Sequence, residues 1–373
     1  MRWLAWSLAY FCVVCALKAE LITSISSRSD APDFRFSRVV KGLVRLAHRV
    51  SKVWLGLSLF VVAACDKKAE THAGSAAAAL PATSPVKLAL DWVPEPEFGG
   101  FYAAREDSAY ARRNIRIEIQ GGGAGVPVLQ MVATGRADFG TVGADEVITA
   151  RARGADVVAL FAVFQTSPQG IMVHASRRLQ KLEDAFRSGT LGLETGLAYA
   201  AYLKKKFSWD GVKIVPYDGG VAHFLADPNF GQQCYVTSEP IAARQKGGDP
   251  AVFLIADAGF NPYTTVVITR REMLGKSPEL VKAFVLATRE GWRDYLDHPQ
   301  ATNALLGKLN PALDAATLSA ASDAQKPLIE TDDSKRDGLG TMQRARWQTL
   351  ADQLVDLRIV DKAPVVDDLF VKL

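Results

Sequence analysis

Two α/β lobes followed by a chiefly helical C-terminal tail are predicted for this chain by three features of its pattern. From Val86 onward, short runs that alternate apolar and polar residues, or are apolar throughout, recur between stretches of helical spacing, as happens where strands and helices take turns. The series restarts from Arg177 with the same rhythm, and past Ser277 only helical periodicity remains. A content of 49% hydrophobic and 23% charged residues in a chain of 373 supplies a large core and excludes disorder over the whole chain.

The first strand is Val86 to Leu90, ended near Asp91 and Trp92 because Pro94 and Pro96 remove backbone donors from any further ladder. Phe98, Phe101 and Tyr102 follow in an aromatic loop that leads into a helix through Tyr110. In open α/β sheets ligands sit where such strands end, so Asp91, Trp92, Phe98 and Tyr102 are candidates for holding a flat, polar-edged small molecule. The competing reading makes the aromatics ordinary core residues and puts Asp91 in a turn. Ile115 to Ile119 alternates as a strand, and the glycines from Gly121 to Gly125 form a flexible connection. The Lys-Ser/Thr pair of a phosphate loop is missing there. A helix from Pro127 stops at Gly135, a left-handed cap.

Ala137 to Val142 is a further strand, and Asp145 is placed to cap the helix that ends near Gly154. Thr141 and Asp145 thus lie at a second strand end. Val157 to Phe164 reads as a strand buried on both faces, and Gln165 opens the polar segment that ends it. After a strand over Gly170 to Ala175, the second series has a helix near Leu182 to Arg187, a strand at Leu191 to Leu193, and a turn at Glu194. Next come a helix from Leu197 to Phe207 carrying Tyr199, a strand at Val212 to Val215, and a strand from Gln233 to Val236 carrying Tyr235. Ser238 is the expected N-cap of a helix through Gln245 that contains Glu239. Val252 to Ile255 and Thr264 to Thr269 are the last strands, the second returning to the first lobe. Helices then span 277–296, 300–309, 315–328 and 342–357.

The net charge of +4 comes from the leader, since residues 1–65 hold nine Lys/Arg against three Asp/Glu and the remainder carries 35 basic and 37 acidic residues. No basic patch with interleaved aromatics is left to argue for nucleic acid. Lys41, Arg45, Arg49 and Lys52 precede the apolar run Val53 to Val62 and then Ala63-Ala64-Cys65, the layout of an export signal. This segment, about 41–64, resembles a bacterial lipoprotein signal, which implies cleavage before Cys65 and lipidation of Cys65; an uncleaved signal anchor is the alternative. A second apolar stretch at Trp3 to Leu17 is superfluous for export, so translation is expected to begin near Val39 or Val40, leaving residues 1–40 untranslated. Residues 65–85, rich in Ala, Ser, Thr and Pro, read as a flexible tether. Beyond Cys65 only Cys234 remains, so the mature body has no disulfide to form.

Four segments stand in the order and spacing of a known family: Asp91-Trp92-Val93-Pro94 with Gly100-Phe101-Tyr102-Ala103-Ala104; Gly135-Arg136-Ala137-Asp138-Phe139-Gly140; Ala150-Arg151-Ala152-Arg153-Gly154; and Tyr235-Val236-Thr237-Ser238-Glu239-Pro240. The chain resembles the substrate-binding proteins of ABC importers related to thiamine-pyrimidine synthases, a group that also binds other heterocycles, sulfonates and nitrate. The resemblance covers residues 86 to about 300 well and the tail loosely. It implies a two-lobed, type II periplasmic-binding fold with two chain crossings and a ligand cleft, lobe one being 86–174 plus 267–373 and lobe two 175–266. It also implies that Trp92 stacks on the ligand ring while Tyr235 and Glu239 hold its polar edges. The bland alternatives are a strand aromatic for Tyr235 and a helix-start acid for Glu239. Phe98 departs from the polar or imidazole residue of many relatives.

The expected ligand contacts are therefore Asp91, Trp92, Phe98, Tyr102, Thr141, Asp145, Gln165, Glu194, Tyr199, Tyr235 and Glu239, with no catalytic group, metal or cofactor. The expected partners are a small flat nitrogen heterocycle, an ABC permease and ATPase, and a membrane reached through the lipid on Cys65. The protein is expected to be a monomer in the cell envelope. A sulfonate, nitrate or other small solute is the alternative cargo. The enzyme alternative is weaker: Val142 and Glu146 stand where the synthases have a Lys and a His, no Cys cluster lies around Asn261 to Thr264, and the five His residues (48, 72, 174, 223 and 298) lack metal-ligand spacing.

Overall fold

Val86–Ala89 extends as β1 with Leu88 and Ala89 buried on opposite faces, and the prolines beyond Trp92 end it. A computed structural model describes residues 84–373; the leader at 1–64, Cys65 and the tether as far as residue 83 lie outside the described residues. From β1 the chain runs through α1 (Gly99–Glu106), β2 (Ile117–Gln120), α2 (Val128–Ala133), β3 (Phe139–Val142), α3 (Ala144–Ala152) and β4 (Val157–Phe164). Residues 165–168 lead into β5 (Gln169–His174), followed by β6 (Thr190–Leu193), α4 (Ala198–Lys206), β7 (Lys213–Pro216), α5 (Ala222–Ala226), β8 (Phe230–Tyr235), α6 (Glu239–Gln245) and β9 (Pro250–Leu254). Residues 255–263 lead back to β10 (Thr264–Arg270). The tail is helical: α7 (Arg271–Lys276), α8 (Pro278–Asp297), α9 (Pro299–Leu309), α10 (Ala315–Ile329), α11 (Asp332–Asp337) and α12 (Arg344–Asp356).

Two five-stranded sheets result, in the orders β2-β1-β3-β10-β4 and β7-β6-β8-β5-β9. Each takes in one strand delivered from the other, and in each that strand runs antiparallel. β10 lies antiparallel between β3 and β4, pairing Val266 with Val142 and with Ala162. β5 lies antiparallel between β8 and β9, pairing Gly170 with Cys234 and with Leu254. The remaining neighbours are parallel, so the C-terminal ends of β1 and β3 share one edge of the first sheet, and those of β6, β7 and β8 share one edge of the second.

All eight residues of β4 are buried, because helices cover both faces of the first sheet. Leu88, Phe139, Val158 and Val267 join α1 and α8 on one face, and Ala89, Val142, Val157 and Ile268 join α2, α3 and α12 on the other. Phe139 stacks on Phe284 of α8 with centroids 3.8 Å apart, and Phe101 of α1 meets Trp292 edge-on. No helix among the described residues is long and apolar enough to cross a membrane.

Several local expectations are corrected. α5, α7 and α11 carry no periodic signal because each is under two turns long. β8 begins at Phe230 and not at Gln233, its polar residues being admitted to the core by hydrogen bonds such as Gln232 Nε2 to the Gly220 carbonyl at 2.8 Å. Asp145 is not a helix cap: Gly143 holds that position, and its N–H is bonded by the Glu146 carboxylate at 2.8 Å. Ser238 precedes α6, but its hydroxyl makes no capping bond.

The tightest helix contact is α1 on α8. A Cβ on Gly291 would lie 2.3 Å from the Ala104 methyl and 2.4 Å from the Gly100 carbonyl oxygen, so the two backbones meet where only hydrogen fits. Gly291→Ala is expected to destabilise the protein by about 1–3 kcal/mol despite the better helix propensity of Ala. Urea unfolding would show a lower midpoint at unchanged slope; an unchanged midpoint would mean that the helices can separate freely.

Candidate ligand-binding cleft

The strand ends meet across the two sheets in a cluster of acids and tyrosines. At the end of β1, the Thr141 hydroxyl accepts the Asp91 N–H at 3.0 Å and donates to the Asp91 carboxylate. This fixes the first acid to β3 next door. Trp92 follows with 43% of its surface exposed. Its carbonyl accepts the Gly122 N–H at 2.8 Å, and a Cβ at Gly122 would lie 2.1 Å from the Leu90 carbonyl oxygen. The glycine-rich loop is thus a close backbone brace for the β1 end.

On the second sheet, Glu239 opens α6 and holds two partners: Tyr217 donates its hydroxyl at 2.5 Å and the Tyr235 N–H donates at 2.7 Å. Gln233 joins Glu194 and Tyr199. Its amide oxygen accepts the Glu194 N–H at 2.6 Å and the Tyr199 hydroxyl, and its amide nitrogen donates to the Glu194 carboxylate at 2.6 Å. A depression of about 460 Å³ lined by Leu193, Glu194, Thr195, Pro216 and Tyr217 opens beside this network.

Electrostatics tie the two halves together. Burial pushes the Glu95 carboxyl up to about 8, reinforced by the negative charges of Glu239 and Asp91. Glu97, 7% exposed, is held well above the usual carboxylate range by burial and then by Glu95, Asp91 and Glu239. Asp91 is raised to about 6 by burial, against the Thr141 hydrogen bond, and Asp145 to about 6 by burial and Glu146. Burial raises the Tyr235 phenol, and the acids that raise it further, Glu97, Asp91, Asp145 and Glu146, belong to the first sheet's side. Burial and Glu239 likewise raise Tyr217. Among the described residues none of these carboxylates has a Lys or Arg within ion-pair distance, although such pairs are common elsewhere on the surface. Nor is any group of three or more His, Cys, Asp or Glu arranged to hold a metal ion.

The structure therefore gathers Asp91, Asp145, Tyr235 and Glu239, with Trp92 exposed beside Asp91, and Thr141 stands behind as the fully buried support of Asp91. Glu194 and Tyr199 flank them through Gln233. Three expected contacts lie elsewhere. Phe98 is fully buried where it leads into α1, and Tyr102, on α1 itself, is 2% exposed with the Arg105 guanidinium 5.2 Å from its ring centre; both belong to the apolar cluster that α1 and α8 share. Gln165, also buried, donates to the Ala162 and Thr341 carbonyls at 3.0 Å and belongs to the chain crossing. Glu95, Glu97, Tyr217 and Gln233 were missed. The Glu-Pro-Glu sequence, two acids inside an otherwise apolar loop, was the available signal for the first two.

A family model described as NMT1/THI5 like matches residues 95–302, more than half of the chain. Riboflavin-binding protein RibY of Chloroflexus aurantiacus is 24% identical over 267 residues, 65% of this chain and 73% of that one. A 4-amino-5-hydroxymethyl-2-methylpyrimidine phosphate synthase of Legionella pneumophila is 23% identical over 242 residues, 62% and 75% of the two chains. Among solved structures, the periplasmic aliphatic sulphonate binding protein SsuA from Escherichia coli superposes with a TM-score of 0.59 at 16% identity, covering 78% of this chain and 94% of its own. That likeness shows the fold, the two-sheet α/β arrangement of periplasmic binding proteins with a helical C-terminal region. With the motifs at Asp91, Gly135 and Tyr235 lying in or beside the matched segment, the chain belongs to the NMT1/THI5-like family.

Proposed function

We propose that this protein is the substrate-binding component of an ABC importer and that it captures a small, flat nitrogen heterocycle rich in hydrogen-bond donors, of the thiamine-pyrimidine kind. It works as a non-enzymatic monomer outside the cytoplasm, tethered through a lipid on Cys65, and hands its cargo to a permease driven by an ATPase. The observation that carries the reading is the set of carboxylates without cationic partners where the two sheets face each other, next to an exposed Trp92. An aromatic face and acid acceptors suit an amino-substituted ring. Stacking on Trp92 contributes ~1 kcal/mol beyond area burial, and a charge-assisted hydrogen bond to Glu239 adds roughly 2 kcal/mol. The remainder of a micromolar affinity, about −8 kcal/mol in all, comes from desolvation and closure of the lobes.

The two sequence relatives support this class by their names, one a binder of riboflavin and the other a synthase of an aminopyrimidine. An anion is disfavoured by the same acids, since a sulfonate or nitrate requires cationic or amide donors. The synthase reading lacks its groups, Val142 and Glu146 standing where a Lys and a His are required. The lobes, 86–174 plus 267–373 and 175–266, close around the ligand by bending at the two crossings.

Calorimetry with 4-amino-5-hydroxymethyl-2-methylpyrimidine, riboflavin and an alkanesulfonate tests the cargo. A heterocycle is expected to bind and the sulfonate not, with Glu239→Gln weakening the heterocycle about tenfold or more. Tight binding of the sulfonate with none of either heterocycle would overturn the cargo assignment. Solution scattering is expected to show a smaller radius of gyration with saturating ligand, and superimposable profiles would argue against lobe closure. Cys65→Ser is expected to abolish fatty-acid labelling and release the protein from the membrane fraction; labelling that persists in this variant would refute the lipid anchor.

A further inference from the structure

Within the cleft Glu97 is set apart by its surroundings. It is more than nine-tenths buried, and among the described residues its carboxylate has no hydrogen-bond or ion-pair partner, whereas Asp91 is held by Thr141 and Glu239 by Tyr217 and the Tyr235 amide. A buried carboxylate without a partner is costly. Its position is enforced: Pro96 and Pro94 fix the turn, the Pro96 carbonyl accepts the Gln325 amide of α10 at 3.0 Å, and the Pro94 carbonyl accepts the Asn310 amide at 3.2 Å. Glu95, two residues earlier, stands in the same field and also has no partner among the described residues.

The groups whose charge bears most on Glu97 are all acidic: Glu95 and Asp91 on its own side and Glu239 from the second sheet. Tyr235 approaches from β8 and feels Glu97 before the other acids. Among the described residues no Lys or Arg of the neighbouring helices pairs with Glu97, Lys326 of α10 donating instead to the Leu296 carbonyl at 2.7 Å. α10 contributes the neutral Gln325 against this turn, and the Arg105 guanidinium of α1 is bonded to Glu106 at 2.7 Å.

We propose that Glu97 and Glu95 form a charge-reading subsite that selects an organic cation, an ammonium or amidinium group carried on the bound ring, over neutral and anionic counterparts. This rests on the heterocycle-importer reading and narrows its substrate class to cationic heterocycles. The cation supplies the partner that the buried carboxylates lack, while an anion meets only like charge. Glu95, titrating at about 8, holds its proton near neutral pH when no cation stands beside it, and Glu97 is shifted in the same direction. A cation favours the ionised form, so its binding expels a proton, and its affinity rises with pH up to about 8 and falls as pH is lowered.

The test uses the full chain at pH 7.5 and three probes: 4-amino-5-hydroxymethyl-2-methylpyrimidine, its 5-aminomethyl analogue, which adds an ammonium at the same size, and benzylammonium, which keeps the charge without the heterocycle. Calorimetry in buffers of different ionisation enthalpy counts the protons released. The aminomethyl probe is expected to bind about tenfold or more tightly than the hydroxymethyl probe, with proton release that the neutral probe lacks. In Glu97→Gln, and separately in Glu95→Gln, the ratio between the two pyrimidines should fall below about threefold and the proton release should shrink. A melting temperature no lower than wild type would show that each variant folds. Equal affinities with no proton exchange would overturn the charge assignment and leave the heterocycle reading standing. Binding of benzylammonium without either pyrimidine would sustain the charge assignment and overturn the heterocycle. No binding of any probe would overturn both.

Discussion

One guanidinium holds the two chain crossings together. Arg346, sent inward from α12, donates to the Gln165 carbonyl on the first crossing. On the second it donates to the Asn261 carbonyl and side chain, both at 2.9 Å, and to the Pro262 carbonyl at 3.3 Å. Its plane lies over Tyr263, 3.9 Å from the ring centre, and Asn261 in turn accepts the Ser167 N–H at 2.8 Å. Crossing segments have left one ladder and not yet joined the next, so their carbonyls need partners from elsewhere. A planar fork with donors on three nitrogens can satisfy several at once, which an ammonium cannot do. The helical tail is therefore no appendage. Through Arg346 it ties together the two segments by which the chain passes between the sheets.

The site inherits its geometry from that arrangement. Because each sheet takes in one antiparallel strand from the other, its remaining parallel strands end on one edge, and those edges carry Asp91 and Asp145 on one side and Glu194, Tyr235 and Glu239 on the other. Supports for the acids come from the next strand over: Thr141 on β3 for Asp91, and Gln233 on β8 for Glu194. The glycine-rich loop and the Gln325 amide hold the aromatic turn from outside. Strands and their neighbours thus fix where the acids of the candidate cleft stand.

Much of this was readable from residues alone, for identifiable physical reasons. Strands such as Val157–Phe164 announce themselves because burial on both faces demands an unbroken apolar run, and Gly135 ends its helix at a φ of 78°, where glycine is favoured. The five-residue α5 could not be seen, since one face of so short a helix leaves no period. In the cleft, Asp91 was visible as an acid at a strand end and Glu239 as the acid that opens a helix, its role implied by the family resemblance. Phe98 misled because an aromatic in a loop has the same signature whether it faces a ligand or the core, and only its burial in the folded cluster decides it. Glu97 was invisible for the opposite reason: a carboxylate reads as surface, and its burial comes from proline geometry together with contacts from Asn310 and Gln325, more than 200 positions away in sequence.

Burial of these carboxyls makes the stability of the fold depend on pH. Carboxyls such as Glu95, whose folded pKa of about 8 lies above the usual carboxylate value, favour the folded state most when protonated. Their contribution is fully present below the unfolded carboxylate range of about 4 and is lost as pH rises through the folded values. Glu95 therefore opposes folding more at pH 8 than at pH 5, opposite in sign to surface acids such as Glu183, whose Lys181 and Arg187 partners lower its pKa. A neutral residue at 95 would remove this pH dependence and leave the bonds that pin the Pro94 and Pro96 carbonyls in place. On the proposed cation reading this local instability serves binding, the usual relation between a functional site and the stability of its scaffold. On the same reading a bound cation is the countercharge that these carboxylates lack, and its binding is coupled to their ionisation.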